Sequence, residues 1–224
     1  MIRVAIVDDE PLVRTGLATI LGSAPDVSVV SGCGGGDAVE AVRRHAPEVL
    51  LLDVRMPDVD GLTVLRRLAG LPGAPAVAML TTFDATAYID EALRAGAAGF
   101  LMKNTAPDQL VQAVRVLAAG GSILAPEAAG PVIGGYLKAR RPDDAARRIE
   151  PLTAREREVL ALIGGGFTNR DIARRLYLAP STVKDHVSSL LSKLGGLNRV
   201  QAAVVADRAH LVTDSIEKFG APRP

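Results

Sequence analysis

Apolar residues follow two periodicities along residues 1–122. Short aliphatic, β-branched runs occur at IRVAIV (2–7), VSVVS (27–31), VLLLD (49–53), AVAML (76–80) and AGFLM (98–102). Between and after them lie segments with apolar positions three and four residues apart, at 11–22, 37–45, 61–69, 85–95 and 107–119. Five such repeats predict a parallel sheet with helices on both faces. Right-handed crossovers make it doubly wound, with the flavodoxin-like strand order 2-1-3-4-5. The unbroken run Val49–Leu52 fits a strand covered on both sides.

From 118 to 151 Gly, Pro and charge interrupt the pattern, and we read a short helix over 126–137 and a solvated linker over 138–150. Only helical patterns follow. LTAREREVLALIGGG opens with a capping box, Thr153 to Glu156, and stops at Gly164–Gly166. Helices are then predicted at 168–176, 180–194 and 198–210. The fold class is thus α/β plus all-α. An α/β domain spans 1–122, a linker 123–150, a four-helix domain 151–214 and a flexible tail 215–224.

Charge separates the same two halves. Residues 1–137 carry 10 Lys+Arg against 15 Asp+Glu, a net of −5, and residues 138–224 carry 16 against 10, a net of +6. A basic half points to nucleic acid. No uncharged run reaches the roughly 18 residues that cross a bilayer, and MIRVAIVDDE lacks a signal-peptide pattern, which predicts a cytoplasmic protein without a membrane partner. The single cysteine, Cys33, excludes an internal disulfide and is read as a small, semi-buried residue in a reducing setting. His45 and His210 are read as surface residues.

The candidate chemistry gathers at the strand ends, where doubly wound sheets place their sites. The first strand ends in Asp8 and Asp9, the third in Asp53 and the fourth in Thr81, while Lys103 follows the fifth. In the order 2-1-3-4-5 the first and third strands are neighbours, so the three carboxylates converge. A pair about 4 Å apart costs about 4 kcal/mol at an effective dielectric of 20. The cluster must therefore bind protons or a hard cation such as Mg²⁺. A carboxylate beside Mg²⁺, a Lys and a hydroxyl is equipped to accept a phosphoryl group, with Asp53 as the nucleophile.

These residues carry a resemblance. VDDE, LLDVRMPDVDG, LTTF and GAAGFLMK, over residues 2–119, resemble the receiver domain of two-component response regulators. The resemblance implies that Asp53 is phosphorylated by a sensor histidine kinase. It implies that Asp9 and Asp53 bind Mg²⁺ with the backbone carbonyl of Arg55, that Asp8 helps through water, and that Thr81 and Phe100 form a coupled switch pair with Lys103 beside them. Phe100 stands where the family often has Tyr. The segment GCGGGDA (32–38) is unusually rich in glycine, which predicts a loosened start to the second helix and no chemistry.

In the basic half, TNRDIARRLYL, APS and STVKDHVSSLLSKLG have helix-turn-helix spacing. One face of the second helix is apolar, and the other offers Thr182, Lys184, Asp185, Ser188 and Ser192, a pattern that suits entry into a major groove. Lys193, Arg170, Arg174 and Arg175 are candidates for phosphate contacts. Residues 152–203 resemble the LuxR-type DNA-binding domain, and the combination with a receiver resembles the NarL/FixJ class. This implies a transcription regulator whose Thr182, Val183, Lys184, Asp185, His186, Ser188 and Lys193 meet operator DNA. RNA polymerase is a further candidate partner. The resemblance also implies a homodimer when phosphorylated, for which the last helix offers Val200, Ala203, Val204 and Asp207. An Asp-nucleophile phosphatase is the enzymatic rival, but that chemistry needs its nucleophile on the first strand. A receiver that works without phosphate is the other alternative.

Overall fold

The structure is a computed structural model, and it describes residues 1–69, 71–81, 86–124 and 143–212. The chain divides into two compact units, one built on residues 1–118 and 123–124, the other on the helices from 143 onward.

The first unit is a parallel sheet of order β2-β1-β3-β4-β5-β6. Its strands are β1 (Ile2–Val7), β2 (Val27–Cys33), β3 (Val49–Asp53), β4 (Ala76–Thr81), β5 (Gly99–Met102) and β6 (Ile123–Leu124). The helices are α1 (Pro11–Gly22), α2 (Ala38–His45), α3 (Gly61–Ala69), α4 (Thr86–Arg94) and α5 (Pro107–Ala118). The central strands carry the core: Val4, Ile6, Val49, Leu50, Leu51 and Leu52 are wholly buried. Burying both faces of β3 explains why its sequence is continuous rather than alternating.

The sixth strand departs from the predicted five. Ile123 and Leu124, whose surroundings read as linker in the sequence, pair in parallel with Gly99 and Phe100 of β5. The pairing brings Ile123 so close that a side chain at Gly99 would lie 2.7 Å from its carbonyl oxygen. A two-residue strand leaves too short a run for periodicity to register. The glycine-rich segment is also better ordered than predicted. Gly35–Asp37 forms a 3₁₀ turn ahead of α2, and Gly35 is buried.

The second unit contains α6 (Asp143–Ile149), α7 (Ala154–Gly164), α8 (Asn169–Leu176), α9 (Pro180–Lys193) and α10 (Arg199–Arg208). Four helices were predicted and five are present among the described residues. The extra one, α6, falls in the supposed linker: Ala145 is buried, and Arg157 Nε and Nη2 donate to the carbonyls of Ile149 and Glu150, covering acceptors that a helix end leaves open. The predicted helix at 126–137 and the tail at 215–224 lie outside the described residues. Val159, Leu160, Leu162, Phe167, Ile172, Val183 and Leu190 form the core of this unit.

The Thr153–Glu156 capping box is present, and two further boxes, Thr168–Asp171 and Asn198–Gln201, start α8 and α10. Their acceptors are Asp and Gln, so a search for Ser/Thr followed by Glu passes over them.

Candidate functional site

Register places the acidic residues together. Val7 is aligned with Leu52, so the next residues, Asp8 and Asp53, leave the sheet side by side. Carboxylate oxygens of Asp8, Asp9 and Asp53 all lie within 4.8 Å of one another. Asp8 and Asp53 are buried and Asp9 is exposed. Lys103 enters from β5, its backbone N–H held 2.8 Å from the carbonyl of Thr81. Its Nζ sits 2.9 Å from Asp8 Oδ2, 3.0 Å from Asp53 Oδ2 and 3.6 Å from Glu10 Oε1.

One ammonium thus faces three carboxylates, and it does not neutralise the group. Burial raises the pKa of Asp53; the hydrogen bond and charge of Lys103 oppose that shift without cancelling it, and the charge of Asp8 adds to it. Burial also works against the charge on Lys103, but its hydrogen bonds to Asp8 and Asp53 prevail and its pKa is raised. The site retains an excess of negative charge in a small, partly buried space. Hard, anionic oxygen donors in that arrangement suit Mg²⁺.

Backbone packing fixes the loop below Asp53. Arg55 N–H donates to Asp53 Oδ1 at 3.3 Å, and Gly61 N–H donates to the Val54 carbonyl at 3.0 Å. A Cβ on Gly61 would lie 2.1 Å from the Asp53 carbonyl oxygen, so only glycine fits. A Cβ on Gly35 would lie 2.6 Å from the Val59 carbonyl oxygen and 2.9 Å from Met56 Cε. The glycine-rich turn therefore rests directly on the loop that carries Arg55. Glu10, Gly35 and Gly61 belong to this site and were not singled out from the sequence. VDDE contained the signal for Glu10, whereas the close approach at Gly35 is invisible without coordinates.

Thr81 ends β4 and is buried. In the β4–β5 register Met79 is aligned with Phe100 and Thr81 with Met102, which sets Thr81 and Phe100 diagonally on one face of the sheet. Phe100 is wholly buried. Cys33 is half-buried, and burial raises its thiol pKa, which suits an inert residue.

In the second unit, Lys184, Asp185 and Ser188 project outward from α9, with Thr182 and His186 half-buried beside them. Ser188 Oγ donates to the Lys184 carbonyl at 3.0 Å. One predicted contact needs correction. Val183 is wholly buried in the domain core, so it anchors the helix and does not reach a base. Lys193 Nζ lies 2.8 Å from Oε2 of the buried Glu156, while the lysine side chain remains 37% exposed.

The predicted phosphate contacts divide similarly. Arg170 is exposed; Arg174 is exposed but ion-paired with Asp171; Arg175 lies over the Phe167 ring, 4.0 Å from its centroid. On α10, Val200, Ala203 and Val204 are half-buried and Asp207 is exposed.

Glu156 organises this unit. It closes the α7 capping box, accepts from Ser189 Oγ at 2.7 Å and pairs with Lys193. Burial would raise its pKa, but Lys193, the Thr153 N–H and the two hydroxyls outweigh that and hold it at about 2. Arg199 donates 2.8 Å to Asn169 Oδ1 and 2.5 Å to the Phe167 carbonyl, and burial lowers its pKa to about 10.

A doubly wound domain with an acidic cluster and Lys at its strand ends, followed by a helix-turn-helix unit, defines a phosphorylation-type regulator that acts on DNA. The comparisons agree. Residues 4–115 match the response regulator receiver domain, and residues 150–206 match the bacterial regulatory proteins of the luxR family. The chain is 37% identical to the uncharacterized transcriptional regulatory protein YxjL of Bacillus subtilis, over 94% of this chain and 97% of that one. It is 39% identical to the transcriptional regulatory protein UhpA of Escherichia coli, over 91% and 96%. Among solved structures, the response regulator ChrA of a heme-sensing two-component system is 37% identical with a TM-score of 0.51, over 94% of this chain and 98% of that one. This chain belongs to the two-component response regulators that join a receiver to a LuxR-type DNA-binding domain. Its relatives are transcriptional regulators, and no helix among the described residues is long and apolar enough to cross a membrane.

Proposed function

We propose that Asp53 is the phosphoacceptor, that a sensor histidine kinase is the donor, and that phosphorylation controls operator binding in the cytoplasm. The observation that carries this reading is the cluster itself: three carboxylates within 4.8 Å and Lys103 Nζ 3.0 Å from Asp53. An Asp53 oxygen attacks phosphorus as the donor's bond to phosphorus breaks, leaving an aspartyl phosphate. Lys103 offsets charge on the phosphoryl oxygens, and the Thr81 hydroxyl donates a hydrogen bond to one of them. Asp8, Asp9, Asp53 and the Arg55 carbonyl would hold Mg²⁺, which when bound supplies further positive charge to those oxygens. Thr81 and Phe100 then shift together as the switch.

On the DNA side, Lys184, Asp185 and Ser188, with Thr182 and His186, face the major groove, and Arg170 meets phosphate. Val200, Ala203, Val204 and Asp207 supply the dimer contact, and RNA polymerase is the downstream partner. The test is incubation with Mg²⁺ and acetyl phosphate. The protein gains one base-labile phosphate, Asp53→Asn gains none, and Asp9→Asn binds Mg²⁺ more weakly. Equal labelling of Asp53→Asn would remove the assignment.

A further inference from the structure

Tyr177 lies in the turn between α8 and α9, and its surroundings do not explain it. Its side chain is almost wholly in solvent, 95% exposed, while its backbone is left-handed at φ 54°. The turn itself requires that backbone. The N–H groups of Tyr177 and Leu178 both donate to the Ala173 carbonyl, closing α8 in a way that ordinarily selects glycine or asparagine. A bulky residue there is strained, and in an exposed position the strain is not repaid by packing.

Position suggests what repays it. Three residues later α9 begins at Pro180, and the outward residues of its first turns are Ser181, Lys184 and Asp185. The amino-terminal end of a recognition helix is the end that approaches DNA. A side chain held in solvent on the turn that feeds this end is free to reach a phosphate flanking the groove that the helix enters. Arg155 lies at the same turn, its Nη2 donating 2.8 Å to the Leu176 carbonyl. We propose that Tyr177 is a DNA-backbone contact: its hydroxyl donates to a phosphate oxygen, and the fold accepts a strained turn in exchange for that affinity. The proposal rests on the domain's binding of double-stranded DNA and adds a residue that reads no sequence.

Because the contact is to the backbone, no operator is needed to test it. The full-length protein, Tyr177→Gly and Tyr177→Phe are titrated against a labelled duplex of mixed sequence at several salt concentrations, below the onset of unfolding. Tyr177→Gly is expected to bind about tenfold more weakly, as is usual for a lost hydrogen bond to a charged group. The salt slope stays unchanged, since Tyr releases no counterion. The same variant unfolds at a higher temperature, by roughly 4 °C, because glycine carries no Cβ penalty in this conformation. Tyr177→Phe shares the weaker binding without the gain in stability. If Tyr177→Gly binds as tightly as the natural protein, the contact does not exist. If Tyr177→Phe binds normally, the hydroxyl is not the donor, and a lower unfolding temperature in Tyr177→Gly would refute the exchange of stability for affinity. Failure of the unaltered protein to bind the duplex would overturn the DNA-binding reading and Tyr177's part in it together.

Discussion

Among the described residues, Asp53 and Glu156 are two buried carboxylates, each paired with a lysine at nearly equal distance, and they differ in character. Lys103 lies 3.0 Å from Asp53, and Lys193 lies 2.8 Å from Glu156. The Asp53 pKa is raised, whereas that of Glu156 is depressed to about 2. The difference comes from their neighbours. Glu156 has one cation, a backbone N–H and two hydroxyls to itself. Asp53 shares its cation with Asp8 and Glu10 and adds the weaker 3.3 Å bond from Arg55. One pair is satisfied and holds helices together; the other is underprovided, as a site that receives a further ligand must be.

The sharpest way to break this contrast is to remove the satisfied carboxylate. Glu156→Ala should destabilise the second unit by about 2–3 kcal/mol, since it strands Lys193, Ser189 and the Thr153 N–H. Denaturant titration measures this. The pH dependence has a defined sign: the folded pKa lies below the ordinary 4.5, so the stability due to Glu156 is complete above 4.5 and lost as pH falls toward about 2. Glu156→Ala should flatten stability against pH across that window. An unchanged profile would mean the network does not hold the proton off Glu156.

Next in size is the loop under the underprovided carboxylate. Gly35→Ala forces a methyl against Val59 and Met56 and displaces the loop that carries Arg55. Mg²⁺ affinity, read by calorimetry, should fall about tenfold, in the range of supporting-residue changes at metal sites. Gly36→Ala, where a Cβ meets nothing within 4 Å, should bind Mg²⁺ normally. Equal behaviour of the two variants would show that the contact at Gly35 does not govern the site.

Asp53→Asn should have the opposite sign to Glu156→Ala. Burial disfavours the charged form of Asp53 more than Lys103 favours it, so a neutral side chain of the same shape should stabilise the metal-free protein by about 1 kcal/mol. A drop in stability would instead make the Lys103 pair a net structural support and erase the distinction.

Legibility in the sequence followed the range of the interaction. The strand runs, the helix periodicities and the strand-end residues Asp8, Asp9, Asp53, Thr81 and Lys103 are local patterns, and the topology rule carried them to one edge. β6 and α6 were missed because two paired residues and one short helix leave too brief a pattern to stand out from loop composition. Gly35 was missed because its role lies in a contact with Val59, distant in sequence, and composition alone suggested looseness there. Val183 shows the limit of copying a contact set along a helix: its neighbours Lys184 and Asp185 face outward, and it faces the core.

Lys193 gives the smallest predicted effect and the cleanest separation of structure from binding. At the end of a basic recognition helix it reads as a phosphate contact. Its ammonium is spent on Glu156, with the lysine side chain still 37% exposed. A phosphate contact contributes about one released counterion, so its loss would lower the salt slope of DNA binding by about 1. Lys193→Met keeps the aliphatic stem and removes only the charge. We expect the slope of that variant to match the natural protein, with stability reduced by no more than about 1 kcal/mol because the lysine end of the pair is solvated. Lys184→Ala is the companion measurement: it should lose discrimination between operator and mixed-sequence DNA, roughly 1–3 kcal/mol for a base-edge contact. A slope reduced by one unit in Lys193→Met would show that DNA draws the lysine away from Glu156, and the satisfied pair would then be a feature of the free protein alone.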